Sequence, residues 1–332
     1  MARFPPMRVL VMGGNRYIGL HLVRDLARRG HTVTVMNSHE VALPDGVRRL
    51  HGDRRVPGTI AEVLGPHRDE FDVVFDNTAY DVADVAPMVE LFAGRVEQFV
   101  FTSSVAVYRR SFVQPVTEEG RRHDPHDEDR RKAYGVGKVR TEDLLLGEHA
   151  RTGFPASVVR VVHTLGPMSP LVTRDPIFFE RLVQQRPIFV PGDGFPFVHM
   201  IHVADAAAFL ASMAGNGAVI GEAYNCGGTE LTSIEGSIRL MARAAGVEPE
   251  IVHVPLTTAR RLGFPLVHWG EALVGGAIFS VDKALRDLDW RPAFGVEAGY
   301  RDSFEWWSGG GRELYEYDFS RDDEVLAAVG RP

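Results

Sequence analysis

The chain lacks three things whose absence narrows what it can be. It has one cysteine, Cys226, in 332 residues, so it can close no intrachain disulfide and build no thiolate metal cage, and nothing points to an oxidising compartment. It has no basic block: 37 Lys and Arg stand against 44 Asp and Glu, a formal net charge of −7. That leaves no electrostatic footprint for a phosphate backbone, and no nucleic-acid partner is expected. It has no apolar run near the ~20 residues of a membrane span, and the opening MARFPPMRVL carries no apolar core of signal-peptide length. These absences predict a cytoplasmic protein without membrane contact. Internal repeats and low-complexity tracts are missing as well.

What is present reads as globular, with 45% apolar and 24% charged residues. At roughly 150 residues per domain, the length suggests two subdomains or one large α/β domain with an extension. Apolar, β-rich runs (Met7 to Met12, His31 to Met36, Phe71 to Phe75, Gln98 to Thr102, Ala156 to Val162) alternate with helical patterns, the signature of βαβ units around a buried parallel sheet. Between the first two runs Ile18, Leu22 and Leu26 recur on one helical stripe, with Gly30 closing it. The predicted fold is α/β, a Rossmann-type doubly wound parallel sheet with a smaller C-terminal substrate-binding lobe. The nucleotide-binding core takes residues 1–165, and 166–332 is mainly the lobe, with some segments returning to the core. The mixed-charge stretch Arg121 to Lys132 reads as a solvated loop, and the tail from Ser308 onward as peripheral.

The first strand runs straight into Gly13-Gly14-Asn15-Arg16-Tyr17-Ile18-Gly19 and then into the amphipathic helix. A dinucleotide pyrophosphate sits at such a helix N-terminus, where free backbone N–H groups and the positive dipole end face it. Gly13, Asn15, Arg16, Tyr17, Ile18 and Gly19 are therefore candidate cofactor contacts, although Arg16 stands where a middle glycine is usual. At the end of the second strand an acid would select NAD over NADP; here Asn37 and Ser38 leave the choice between NAD and NADP open. Asp53 and Arg54 follow a third short strand, where an adenine contact would lie.

Tyr134-Gly135-Val136-Gly137-Lys138 puts a phenol and an ammonium on one face of a helix. Hydride transfer from an alcohol needs a base, and ionising a tyrosine of ordinary pKa ~10 at neutral pH takes about 4 kcal/mol of differential stabilisation. The Lys138 charge, the helix and a bound nicotinium are the expected sources. Gly135 and Gly137 weaken the helix, which close approach by a cofactor or by another element would explain. Upstream, Thr102-Ser103-Ser104 closes a buried strand at the end where ligands of open α/β sheets bind. Ser104 is the favoured hydroxyl for the reacting oxygen and Ser103 its rival.

In these motifs the chain resembles an extended short-chain dehydrogenase/reductase of the NAD-dependent epimerase/dehydratase family, from Met7 to about Trp307. The resemblance is carried by GGNRYIG, TSSVAVY (Thr102 to Tyr108), YGVGK, RVVHTLGP (Arg160 to Pro167), VPGDG…IHVAD (Val190 to Asp205), YNCGG (Tyr224 to Gly228) and DKALRDLDWRP (Asp282 to Pro292). It implies Ser104, Tyr134 and Lys138 as catalytic triad, and Asn77, Thr78 and Ala79 beneath the dinucleotide. Thr102 and Val161 are further cofactor contacts on this reading, and the resemblance suggests a homodimer through the helices flanking Tyr134.

The implied activity is NAD(P)-dependent oxidation or reduction of a secondary alcohol on a sugar-like or nucleoside-like small molecule. The alternatives are a redox-neutral dehydratase, or a non-catalytic NAD(P)-binding or RNA-associated protein. Val105-Ala106 stands where the family's sugar 4,6-dehydratases carry an Asp-Glu pair, and Phe195-Pro196-Phe197-Val198 where many nucleotide-sugar enzymes carry a diphosphate-binding arginine. Both departures speak against those two substrate chemistries. The glycine loop with its arginine resembles a branch with a GGTRFIG-like motif, some of whose members are RNA-associated in chloroplasts, a role the net charge speaks against. Substrate-facing candidates are Tyr80, Ser104, Val105, His163 and His199. His199 and His202 point to opposite faces of a strand and have no companion ligands, so no metal is expected.

Overall fold

Runs of Val, Met and Phe that are too short for helices and too apolar for a surface become the strands of one parallel sheet. The computed structural model describes residues 5–39, 42–263 and 276–330. Strands β1 (Arg8–Met12), β2 (Thr32–Asn37), β3 (Arg48–His51), β4 (Val73–Asp76), β5 (Gln98–Ser104) and β6 (Ala156–Val161) follow one another along the chain. Helices α1 (Tyr17–Arg28), α2 (Thr59–Leu64), α3 (Val82–Phe92) and α4 (Ala133–Thr152) lie between them. Later come β7 (His163–Leu165), β8 (Ile188–Pro191), β9 (Phe197–His202), β10 (Ala223–Cys226), β11 (Leu231–Ser233) and β12 (Ile251–Val254). Seven strands form the main sheet in the order β10-β6-β5-β4-β1-β2-β3, with every neighbouring pair parallel.

This is the doubly wound α/β fold. The chain winds outward from β1 to β3, returns to the other side of β1 and winds out again, so a crevice opens where β1 and β4 diverge. Both faces are covered. Leu22 and Leu26 of α1, as read from the helical stripe, are fully buried, and Gly30 closes the helix with a left-handed φ of 88°.

The second half builds a lobe around a mixed sheet β11-β9-β7 and the parallel pair β12-β8. Its core holds Phe179 of α5 (Asp175–Val183), Ile238 of α7 (Ile234–Ala245) and Trp307 of the helix Val296–Ser308. Two of its segments belong to the first half: β10 extends the main sheet, and α6 (Val203–Met213) packs against α1.

The tail corrects the expectation that it is peripheral. Trp307 Nε1 donates to the Tyr317 hydroxyl at 2.7 Å, the Tyr315 hydroxyl donates to the Ser169 carbonyl at 2.7 Å, and Arg181 and Asp322 pair at 2.5 Å in a buried contact. The aromatic rings at 315, 317 and 319, spaced by polar residues, are what dock it, with Arg181 and Arg186 stacked on Phe319.

Arg54, expected against adenine, is also placed elsewhere. Its guanidinium turns under the loop after β4, pairs with Asp76 at 2.6 Å, and donates to the Thr78 hydroxyl at 2.8 Å and to the Asp84 carbonyl. Asp76 also accepts from the backbone N–H groups of Thr78 and Ala79, both at 3.0 Å. Burial pushes the Asp76 carboxyl up, and Arg54 and the Thr78 N–H pull it below its ordinary value on balance. A carboxylate with a lowered folded pKa stabilises the fold above the unfolded pKa and withdraws that stability as pH falls. Breaking such a pair strands a buried charge, so Arg54→Met is expected to lower stability by about 3–5 kcal/mol in urea unfolding. The double variant Arg54→Met/Asp76→Asn recovers part of the loss. Equal loss in both would show that packing, not the stranded carboxylate, is responsible.

Candidate active site

The glycine loop is shaped to bring backbone close to a ligand. A Cβ on Gly19 would collide with the Gly13 carbonyl oxygen, so the first turn of α1 lies directly on the loop. No side chain caps α1 and its first turn carries no acid, which leaves its N-terminal N–H groups available to an anion. Arg16 is the N-cap residue, with an extended φ of −138°. That conformation suits any residue, which is why no middle glycine is needed, and the Arg16 side chain is exposed. Asn15 is buried and Ile18 half-buried beside it. Tyr17 holds a left-handed φ of 43°. Its buried phenol faces Asp175, Arg174 and Tyr315 of the second half rather than the glycine loop.

Two asparagines flank the crevice with orphaned groups. Asn37, at the end of β2, is buried with neither its side-chain oxygen nor its nitrogen hydrogen-bonded, and half-buried Ser38 follows it. Asn77, just past β4, accepts from the Thr102 hydroxyl at 2.5 Å while its Nδ2 is buried without a partner. Buried amide groups left unpaired cost about 1–3 kcal/mol each, and these lie at the strand ends on either side of the glycine loop. A dinucleotide lying across that crevice fits them: the loop backbone and the N-terminus of α1 would take its phosphates, and Asn37 and Asn77 polar groups further along. Asp53 is half-buried and its carboxylate pairs with Arg55 at 2.7 Å, while Arg54 is spent on Asp76.

At the other end of the crevice Tyr134 and Lys138 sit one turn apart on α4. Lys138 is 4% exposed. Its Nζ donates to the carbonyls of Ala79 at 2.7 Å and Thr102 at 2.8 Å and lies 4.6 Å from the Phe101 ring centre. Burial lowers its pKa to about 8, against the opposing pull of Asp76 and Glu142. The two helix glycines are explained by protein, not cofactor. A Cβ on Gly135 would strike the Ala106 carbonyl oxygen, and one on Gly137 the Tyr80 carbonyl oxygen. Only with these two positions bare can α4 press against the ends of β4 and β5.

The rivalry between the two serines resolves by partner. The Ser103 hydroxyl is buried and donates to Glu142 at 2.6 Å, inside a network in which Arg160 grips the same carboxylate at 2.8 Å. Ser104 is half-buried, and its hydroxyl faces the Tyr134 phenol. The expectation that Lys138 depresses the Tyr134 pKa is not met in the free protein. Burial raises it, the Ser104 hydroxyl lowers it, Tyr80 raises it, and the cation that lowers it is Arg174.

The remaining substrate candidates divide. Tyr80 is 62% exposed, and its ring stands 6.0 Å from that of Tyr134 and 5.4 Å from Lys138 Nζ, forming a wall of the site. His163 opens β7, and burial together with Arg174 keeps it neutral, with a pKa of about 3. Val161 is buried at the end of β6, in register with Ser104. Val105 is half-buried and packs against the core of the sheet. His199 is a correction: the Phe279 N–H donates to its Nδ1 at 3.1 Å, and its Nε2 donates to the Gly228 carbonyl at 2.7 Å. Both nitrogens are satisfied and the ring is buried, so it holds loops together instead of facing a substrate. Among the described residues no group of three or more His, Cys, Asp or Glu could hold a metal ion. Sequence reasoning missed Arg174. Its signal was its isolation, as the one Lys or Arg between Arg160 and Arg181.

Comparisons with known proteins agree with this architecture. The profile of the NAD dependent epimerase/dehydratase family matches residues 9–227. The chloroplast stem-loop binding protein of 41 kDa b from Arabidopsis thaliana is 30% identical, aligned over 96% of this chain and 84% of its own. A 2'-dehydrokanamycin reductase from Streptomyces kanamyceticus is 30% identical over 63% of this chain and 58% of its own. The structure of Thermus thermophilus UDP-glucose 4-epimerase in complex with NAD superposes with a TM-score of 0.75 at 23% identity, covering 92% of this chain and 100% of that one. With the profile running from β1 to the end of the main sheet and a relative aligned over almost the full length, this chain belongs to the NAD-dependent epimerase/dehydratase family.

Proposed function

We propose that the chain is an NAD(P)-dependent enzyme that oxidises or reduces a secondary alcohol on a sugar-like or nucleoside-like small molecule. The observation that carries this reading is the convergence of Ser104, Tyr134 and Lys138 at the end of a crevice whose other end is a bare glycine loop and helix N-terminus. The dinucleotide, when bound, supplies the carbon that accepts or returns hydride. Ser104 orients the reacting oxygen by hydrogen bonding, and Tyr134 moves the proton at that oxygen. In the free protein Tyr134 is a neutral phenol at pH 7, ready to donate toward a carbonyl oxygen. To take a proton from an alcohol it must first be ionised, which a cation on its face favours. Lys138 Nζ stands 5.9 Å from its ring centre and Arg174 acts from the lobe side.

Net redox, epimerisation and redox-neutral dehydration share this first step. Val105-Ala106 supplies no acid for an elimination of the kind an Asp-Glu pair performs, so a hydride exchange without that elimination is the favoured form. The stem-loop binding name of one relative brings an RNA-associated reading. A net charge of −7 and a built Ser-Tyr-Lys cluster support the enzyme instead.

Two measurements test the reading. Tyr134→Phe is expected to cut turnover by roughly 10²–10⁴-fold, the usual contribution of a positioned acid or base, while native mass spectrometry still finds the dinucleotide retained. Full turnover in that variant would remove Tyr134 from the chemistry. The chain has three lysines, Lys132, Lys138 and Lys283, so carbon NMR of the methylated protein resolves each. The resonance lost in Lys138→Met is expected to titrate near 8, charged below and neutral above, against an ordinary value of ~10.4. A midpoint above ~10 would show an ammonium that water still reaches.

A further inference from the structure

We infer that Arg174 is an anion anchor of the substrate pocket, taking a carboxylate or phosphate group that the substrate carries beside its reacting carbon. The inference rests on the hydride-transfer reading of the same pocket and names the substrate class it admits.

The geometry starts from register. Ser104 pairs with Val161 across β5 and β6, so His163 and Thr164, the next residues of the chain in β7, emerge just beyond the reacting end of the sheet. Arg174 comes from the loop ahead of α5, and its Nη1 donates to the Thr164 carbonyl at 3.0 Å, which holds the guanidinium over that strand. No carboxylate among the described residues pairs with it. Its neighbour Asp175 instead accepts at Oδ2 from the Gly166 N–H at 3.2 Å and from the Ser303 hydroxyl at 3.1 Å. Arg174 is half-buried, and the groups its charge reaches are the Tyr134 and Tyr17 phenols, the His163 imidazole and the adjacent Asp175 carboxyl, whose pKa burial raises.

A guanidinium partly withdrawn from water, bonded to a carbonyl and beside a phenol but to no carboxylate among the described residues, is matched to recognition of a carboxylate or phosphate. His163 makes no hydrogen bond with the described residues and is held neutral, so it adds a polar contact without a second charge. The chain after the GDG turn, entering β9, offers exposed Phe195 and Phe197 in place of a cation. The charge on offer therefore lies close to Tyr134, which suits a compact anionic substrate.

The test is calorimetric titration of sodium malonate, and separately of inorganic phosphate, into the dinucleotide-loaded protein, with ionic strength held constant by sodium chloride. Saturable binding of either probe to the native protein, weakened at least tenfold in Arg174→Gln and partly restored in Arg174→Lys, is the expected result. Equal binding in Arg174→Gln, or no saturable binding to the native protein, overturns the inference. A tenfold loss of dinucleotide affinity in Arg174→Gln also overturns it, since the guanidinium would then serve the cofactor's own phosphates. Failure of the hydride-transfer reading is seen separately, as absence of dinucleotide binding to the native protein. The same probes titrated into the unloaded protein then decide whether Arg174 holds an anion.

Discussion

A desolvated ammonium organises this site. Lys138 is taken out of water and given two backbone carbonyls, Ala79 and Thr102, which belong to the loop after β4 and the end of β5. Asp76 and Glu142 support its charge against burial, and the convergence of the two carbonyls on it fixes where α4 stands relative to the sheet. The bare faces of Gly135 and Gly137 are the steric counterpart of the same constraint. A side chain at either position would lift the helix from the strand ends and pull the ammonium away from its acceptors. Tyr134, one turn earlier, inherits its place from this contact, and so does the distance at which it meets Ser104.

Two buried ionic networks hold the two acceptor segments from behind. Arg54 and Asp76 shape the loop that presents the Ala79 carbonyl, and Glu142 with Arg160 ties α4 to β5 and β6 through Ser103. Buried pairs of this kind add little net stability, because desolvation offsets much of their attraction. What they add here is positional: each fixes a turn of backbone that would otherwise have several ways to leave its strand. This division of labour explains adjacent serines with unlike tasks. One hydroxyl is consumed in bracing α4, and the other accepts from the Ala106 N–H and faces the Tyr134 phenol.

The legible part of this molecule was periodic or local. The strands were visible as apolar runs, α1 as a stripe, and the glycine loop and the tyrosine-lysine pair as spacing within one element. What escaped was decided by partners distant in sequence. Arg54 stands where an adenine contact would lie, but Asp76, 22 residues on, claims it. His199 looks like a substrate-facing imidazole until Gly228 and Phe279 occupy its nitrogens, and the tail looks peripheral until its aromatic rings meet Trp307 and Arg181. Arg174 was passed over for the same reason in reverse. No carboxylate among the described residues lies within ion-pair distance of it, and a missing contact leaves no mark on a one-dimensional pattern.

The electrostatics of Tyr134 follow from these placements. Lys138 Nζ stands 5.9 Å from the Tyr134 ring centre, yet the cation that lowers the phenol's pKa is Arg174. In the free protein burial therefore dominates, and the phenol stays neutral. Ionisation is then conditional on charge that arrives from outside the chain, because nothing already in place outweighs burial. Arg174 sits on the opposite side and lowers the phenol's pKa only while its own charge is uncompensated. An anion settling on Arg174 would relieve that pull and favour the neutral phenol, which suits donation to a carbonyl oxygen. A neutral ligand would leave the pull intact and favour the base. The same three residues could thus run the transfer in either direction, with the charge of the bound ligand setting the bias.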